Sequence, residues 1–141
     1  MRLRVFAVGP LRGPYAALAE TYLGRLRPLL PTEMREFRSE DALRKALARC
    51  EGPRILLDER GTTFDSRGFA DAVERWLGRR GTPVLCVGGS DGFEARDREA
   101  ADEVVSLSAL TLPHRLARIV LLEQIYRAAT LRAGHPYHRD G

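Results

Sequence analysis

The residues best suited to chemistry lie near the end of the chain. In "HPYHR", His135 and His138 stand three apart, with Tyr137 and Arg139 beside the second. Two histidines at that spacing could suit a metal, but no cysteine or carboxylate cluster completes a set of four ligands, so no metal is expected. A solvated tail is the plain reading of the two histidines. Tyr137, His138 and Arg139 together nevertheless offer stacking, proton transfer and phosphate contact, more than a random tail needs.

Other candidates are weaker. "VGGSDGF" places Gly88 and Gly89 after an apolar run, where glycine allows a tight turn or close backbone approach to a ligand. It does not match G-x-G-x-x-G and lacks the Lys and Ser/Thr of a P-loop, so a phosphate cradle is a poor reading. Asp58, Asp65 and Asp91 fall at expected strand ends and could act as acids or bases, although caps and turns are their usual work. No Ser-His-Asp arrangement with recognisable context is present. Arg115 and Arg118 sit at i, i+3 where a helix should begin; cations there oppose the helix dipole, so an anionic partner or a facing carboxylate would explain them.

The elements that must position these residues alternate between strand and helix patterns. Strands are expected at Arg2–Val8, Glu33–Arg38, Arg54–Asp58, Pro83–Val87 and Glu103–Leu107. Helices are expected from Tyr15 to Leu26, from a Ser39 cap to about Cys50, from Asp65 or Ser66 to Leu77, over Glu94–Ala101, and from Arg115 to Ala133. This order predicts an α/β fold, a mostly parallel sheet with helices on both faces. Ligands then bind beyond the carboxyl ends of the strands. "DERG", "GGSDG" and "LSALTLPH" all follow strands.

Bulk properties limit the class. With 141 residues, 44% hydrophobic and 30% charged, the chain suits one soluble domain spanning residues 1–141. No apolar run is long enough for a membrane span, and "MRLRVFAVG" is too short and too quickly polar for a signal peptide, so a cytoplasmic protein is expected. Cys86 reads as a buried thiol and no disulfide with Cys50 is expected. The net charge is +4, and the residues from Pro113 onward carry +3 of it: Arg115, Arg118, Arg127, Arg132 and Arg139 against Glu123 and Asp140. Arginine forks match phosphates; a codon bias toward arginine remains the bland alternative. The last helix pattern is apolar almost all round, which predicts burial on two sides, by the sheet and by another subunit. Glu123 and Arg127 are set for an i, i+4 ion pair. "LSALTLPH" has no secondary-structure period, yet it is apolar enough to be buried.

Taken together, the sequence resembles the RlmH family of SPOUT-class methyltransferases, which methylate N3 of a pseudouridine in 23S ribosomal RNA. The resemblance covers essentially the whole chain. It rests on "AVG" (Ala7–Gly9), "LDERG" (Leu57–Gly61), "VGGSDG" (Val87–Gly92), "LSALTLPH" (Leu107–His114), "LLEQIYRA" (Leu121–Ala128) and "HPYHR" (His135–Arg139), in that order. The region between about Arg38 and Arg54 looks shorter than in typical members, with consequences expected for substrate docking or peripheral contacts.

The resemblance implies a C-terminal trefoil knot, against the general rule that chains do not knot. It implies S-adenosyl-L-methionine as methyl donor, held by Leu57, Gly88 and the segment Leu107, Ser108, Ala109, Leu110, Thr111 and Leu112. It implies a homodimer packed through the last helix and action on 23S rRNA within the assembled ribosome. Methyl transfer to an imide nitrogen needs alignment and removal of a proton, so a base or cationic groups are required. His138, Tyr137 and Arg139 are the favoured catalytic residues, ahead of His114 and Arg118. Arg115, Arg118, Arg132 and Arg139 are the candidates for rRNA phosphates. The rival reading is a non-catalytic ribosome-binding or assembly factor of the same fold.

Overall fold

The computed structural model describes residues 1–139; the final two positions, Asp140 among them, lie outside the described residues. Its elements are β1 (Leu3–Val8), α1 (Gly13–Leu26), β2 (Thr32–Phe37), α2 (Glu40–Leu47), β3 (Arg54–Thr63), α3 (Ser66–Leu77), β4 (Val84–Val87), α4 (Ala95–Ala100), β5 (Glu103–Ser106) and α5 (His114–Ala133). Every expected element is present. Their ends move by a few residues: α2 stops at Leu47 rather than near Cys50, and β5 at Ser106 rather than Leu107.

The strands form one sheet in the order β2-β1-β4-β3-β5, with all neighbours parallel. Side chains alternate between its faces, as a strand's period of two requires. Leu3, Val5 and Ala7 of β1 join Ile55, Leu57, Leu85 and Val87 in the larger core, which also holds the buried residues of α1, α3 and α5. Phe6 and Val8 turn the other way, with Leu56, Val84 and Cys86, to meet Leu43 of α2 and Phe93 ahead of α4. Both cysteines are free and Cys86 is buried, which pushes its thiol pKa up.

Helix starts follow from side-chain caps. Ser39 Oγ accepts from Ala42 N at 3.1 Å, and Asp65 Oδ1 accepts from Gly68 N at 2.7 Å. Glu94 and Asp97 form a reciprocal capping box on α4. The helix α5 ends at Gly134, whose φ of 71° supplies the left-handed turn that closes it.

The last helix corrects one inference from sequence. Leu121, Leu122, Ile125, Ala128 and Ala129 of α5 lie in one core with Leu26 of α1, Phe69, Val73 and Trp76 of α3, and the sheet. Its all-round apolarity is therefore met within a single chain, between two helices of its own layer, and does not by itself call for a second subunit.

Strand β3 differs most from expectation. Ile55, Leu56 and Leu57 pair with Glu103, Val104 and Val105; the strand then bulges, and pairing resumes with Thr62 opposite Val105 and Thr63 opposite Ser106. Asp58–Gly61 is thereby set apart at the carboxyl edge of the sheet. Gly61 is required here, because a Cβ would lie 2.5 Å from the backbone carbon of Val104.

Candidate functional site

A cleft of about 690 Å³ opens beyond the carboxyl ends of β4, β3 and β5. Its walls are the three segments that follow these strands: Leu57 to Arg60, Val87 to Phe93, and Ser106 to Pro113, with His114 and Ala117 from the first turn of α5. Of the residues expected to hold a cofactor, Leu57, Gly88, Leu107, Ser108, Leu110, Thr111 and Leu112 line this cleft. Ala109 is exposed and is not among the lining residues.

Local chemistry explains each wall. In the glycine turn, Gly92 N donates to Gly89 O at 3.0 Å, and Gly92 adopts a φ of +70°. A Cβ on Gly88 would sit 3.3 Å from Gly92, so the turn folds tightly on itself. Arg98 braces this turn against β3: its Nη1 donates to Phe93 O at 3.0 Å and lies 3.4 Å from Asp58 Oδ2. Asp58 Oδ1 also accepts from the Arg60 amide at 2.9 Å, so its carboxylate is already engaged in shaping the bulge.

The third wall is the aperiodic segment. Ser106 Oγ donates to Ser108 O at 2.8 Å, and Ser108 Oγ accepts from Leu110 N at 2.9 Å. From Ser108 to Leu112 the backbone amides and carbonyls pair with no other backbone group among the described residues. The segment is held by its own serines and by Leu107, which packs on the larger core, whereas Ala109, Leu110 and Thr111 are exposed rather than buried as the sequence suggests. Thr111 Oγ1 donates to Glu59 Oε2 at 3.2 Å and ties this wall to the β3 bulge. An apolar slot with free peptide groups suits a nucleoside, whose flat base is apolar on its faces and polar at its edge.

The tail is placed elsewhere. Tyr137 O–H donates to Glu123 Oε2 at 3.1 Å, its ring meets that of Tyr126 at 4.7 Å, and the Arg127 guanidinium lies 4.9 Å from its centroid. Arg127 Nη1 lies 3.1 Å from His138 Nδ1. Arginine only donates, so Nδ1 accepts and the neutral ring carries its proton on Nε2. Burial first, then Glu123, pushes the Tyr137 pKa up to about 12. In this pose neither side chain is poised to take a proton. Glu123 and Arg127 lie six and ten residues beyond Ala117, about 9–15 Å along the helix axis from the cleft of the same chain. Arg139 is exposed.

Among the base candidates, His114 is the one that lines the cleft. Its pKa is lowered by burial first, then by Arg115 and Arg118, which keeps the ring neutral near pH 7.

The proposed phosphate ligands divide. Arg115 is exposed near the cleft. Arg118 is corrected: its side chain is 0% exposed, donating to Val8 O at 2.9 Å, Gly9 O at 3.0 Å and Glu36 Oε2 at 2.7 Å. The facing carboxylate, rather than an external anion, explains this cation. Arg132 is ion-paired with Glu74 at the far end of α5 and is not brought to the cleft. Sequence reasoning passed over Glu59 and Arg98. Glu59 lies in the quoted "DERG", but its partner Thr111 is 52 residues away, and no local pattern announces that contact. Among the described residues, no group of three or more His, Cys, Asp or Glu could hold a metal, and no helix is long and apolar enough to cross a membrane.

Residues 1–138 match the family model described as "Predicted SPOUT methyltransferase". The chain is 45% identical to the "Ribosomal RNA large subunit methyltransferase H" of Thermus thermophilus, over 99% of each chain. It is 42% identical to the protein of that name from Cereibacter sphaeroides, again over 99% of each. The latter alignment spans 154 positions against 141 for the former, so the Cereibacter protein carries insertions that this chain lacks. Among solved structures, a probable methylase family protein from Haemophilus influenzae superposes with a TM-score of 0.64 at 12% identity, covering 98% of this chain and 70% of that one. A probable methyltransferase from Bordetella pertussis gives 0.57 at 16%, covering 91% and 93%. At those identities the likeness is one of fold.

Proposed function

The chain belongs to the SPOUT methyltransferases and, within them, to the ribosomal RNA large subunit methyltransferase H family, and from that premise we propose that it transfers a methyl group from S-adenosyl-L-methionine to N3 of a pseudouridine in 23S ribosomal RNA of the assembled ribosome. The observation that carries this reading is the cleft wall from Ser108 to Leu112, which offers Leu110 and Leu112 as apolar surface and whose backbone makes no bond to another backbone group among the described residues. Leu57, Gly88, Leu107, Leu110 and Leu112 would hold the donor there, with Ser108, Ala109 and Thr111 in the same segment. The sulfonium, when bound, supplies an activated methyl group.

The chain's own residues then have two tasks. The first is alignment: the Glu59–Thr111 bond and the Arg98 brace fix the three walls relative to one another, and positioning can supply much of the rate. The second is removal of the imide proton from N3. In the cleft of a second copy packed through α5, His138, once released from Arg127, would take this proton, while Tyr137 and Arg139 stabilise the N3 anion as hydrogen-bond donors. Supporting that reading, the tail of one chain is anchored at Glu123, away from its own cleft. Leu116, 37% exposed between the cleft-lining His114 and Ala117, offers apolar surface to the second copy. His114 assists as a neutral acceptor.

The family also carries a C-terminal trefoil knot. Supporting it here, the chain leaves β5 at one edge of the sheet, and Arg118 reaches β1 and the outer strand β2 on the other side. An rRNA substrate sets the work in the cytoplasm, where ribosomes are.

The test is labelled methyl transfer from S-adenosyl-L-methionine to whole ribosomes, free large subunits and naked rRNA, with the modified base mapped. Transfer to N3 of a pseudouridine in whole ribosomes is expected. Absence of donor binding by calorimetry, with no transfer to any of the three, would favour the non-catalytic ribosome-binding or assembly factor. For the second copy, mixing a His138→Ala chain with a Gly88→Val chain should recover activity that neither has alone; failure to recover it, with mixed dimers present, would place the tail's work within one chain.

A further inference from the structure

All five helices begin at the carboxyl edge of the sheet, but they begin differently. The starts of α2, α3 and α4 are closed by Ser39, Asp65 and the Glu94–Asp97 box. Those of α1 and α5 have neither a side-chain cap nor an acidic residue in the first turn. Each carries an arginine instead: Arg12 is the N-cap residue of α1, and Arg115 lies in the first turn of α5. A cation at a helix start works against the helix dipole, and uncapped amides there still need acceptors. Pro14 in the first turn of α1 and Pro113 at the N-cap of α5 favour these starts, but they do not account for an arginine at either.

The two starts share one neighbourhood. Arg118, one turn on from Arg115, donates to Gly9 O, while Leu11 N donates to Glu36 Oε2 at 2.8 Å, the same oxygen that takes Arg118 Nη1. Gly9 N donates to Phe37 O at 2.8 Å, which sets Arg38 beside the same loop. Arg12, Arg38 and Arg115 are all exposed, and their side chains have no ion pair or hydrogen bond among the described residues. Several other arginines face carboxylates, Arg44, Arg75, Arg96 and Arg127 among them. The carboxylates near the group are Glu36, already engaged by Arg118 and Leu11 N, and Glu40, which lies against the Gly89 turn. His114, one residue before Arg115, lines the cleft.

We propose that Arg12, Arg38 and Arg115, carried by the loops and helix turn that the buried Arg118–Glu36 pair ties together next to His114 of the cleft, form a docking surface for the phosphate backbone of RNA. The proposal rests on the reading of the cleft as an rRNA methylation site and adds the surface that delivers the target base to it. Three unmatched guanidiniums and two open helix starts suit successive phosphates, which accept forked donors and end-on amides alike. The adjoining cleft then receives a base displaced from that strand.

The experiment measures equilibrium binding of the full chain to ribosomes across a salt series, without turnover. The variant is Arg12→Gln/Arg38→Gln/Arg115→Gln. The control is Arg49→Gln/Arg80→Gln, which alters exposed residues in the connections entering β3 and β4, at the opposite end of the sheet. Loss of three phosphate contacts should flatten the slope of log affinity against log salt by about 2–3 and weaken binding on the order of 10–100-fold at physiological salt. Calorimetric binding of S-adenosyl-L-methionine should be unchanged, as should the control's slope. An unchanged slope in a triple variant that still binds donor overturns the proposal, as does an equal loss in the control. If the wild type binds with the expected slope but transfers no methyl group, the methylation reading fails and the docking surface stands.

Discussion

Arg118 Nη1 lies 2.7 Å from Glu36 Oε2, although the two residues are 82 apart in sequence. This contact fixes the start of α5 against the outer strand of the sheet, and so fixes one end of the segment that walls the cleft. The guanidinium is fully buried, Glu36 is 35% exposed, and Arg118 Nε has no hydrogen-bond partner among the described residues. Removing Glu36 would strand a buried charge. Glu36→Ala should therefore cost about 2–4 kcal/mol, toward the lower end because the carboxylate is partly hydrated. Adding Arg118→Met should cost less than the sum of the two single changes, since the stranded charge is gone. Urea unfolding of the three variants measures this; strict additivity would show that the pair contributes nothing as a pair.

His114 sets a pH dependence. Its pKa in the folded chain is lowered, by burial first and then by Arg115 and Arg118. The unfolded chain therefore binds a proton there more readily, and stability rises with pH through the window below the ordinary histidine value of about 6.5. As pH falls from 7.5 toward 5, the wild type should lose stability relative to His114→Asn, which cannot charge. Parallel denaturation curves for the two proteins across that range would contradict the assignment.

Much of the fold was legible from local pattern, because strands and helices carry their own periods. The limits are instructive. Asp58–Gly61 breaks the alternation of β3, so the strand reads as finished at Asp58; its resumption at Thr62 depends on β5, more than forty residues later. Arg118 resembles a surface cation because Arg115 precedes it at helical spacing, and only Glu36 and the carbonyls of Val8 and Gly9 make it a buried one. The apolarity of α5 was visible, but its cause was not: α1 and α3 flank it in the same chain. At the site, the segment from Leu107 stood out by lacking any period, and it lines the cleft. The tail's chemistry was equally visible, whereas its anchoring on Glu123 was not.

The glycines of the cleft should separate by function. At Gly61 a Cβ would meet the Val104 backbone at 2.5 Å, which neither partner can relieve without moving a strand. At Gly88 the nearest atoms are 3.3 Å away, in a turn that can yield slightly. Gly61→Ala should lose about 1–3 kcal/mol or more of stability. Gly88→Ala should stay close to wild type in stability yet weaken donor binding, because its methyl group narrows the cleft wall. Thermal unfolding and calorimetry on both variants decide; equal stability losses would remove the distinction.

Tyr137 offers a direct readout of the anchored tail. Burial and the Glu123 carboxylate both disfavour its phenolate, and its pKa reaches about 12. It is therefore a hydrogen-bond donor at neutral pH, and its contribution to stability holds below about pH 10 and is lost as pH rises through the folded value. Glu123→Gln removes the negative charge while keeping an acceptor, so the phenol should titrate closer to the ordinary tyrosine value. Difference absorbance titrations with and without Tyr137→Phe isolate this group from the other three tyrosines. If Tyr137 ionises near pH 10 in the wild type, the tail does not rest on Glu123 in solution. If it ionises late, and later than in Glu123→Gln, the tail is held there. Any proton transfer by His138 then requires its release from Arg127, so transfer by the Glu123→Gln chain should be altered in rate while donor affinity stays the same.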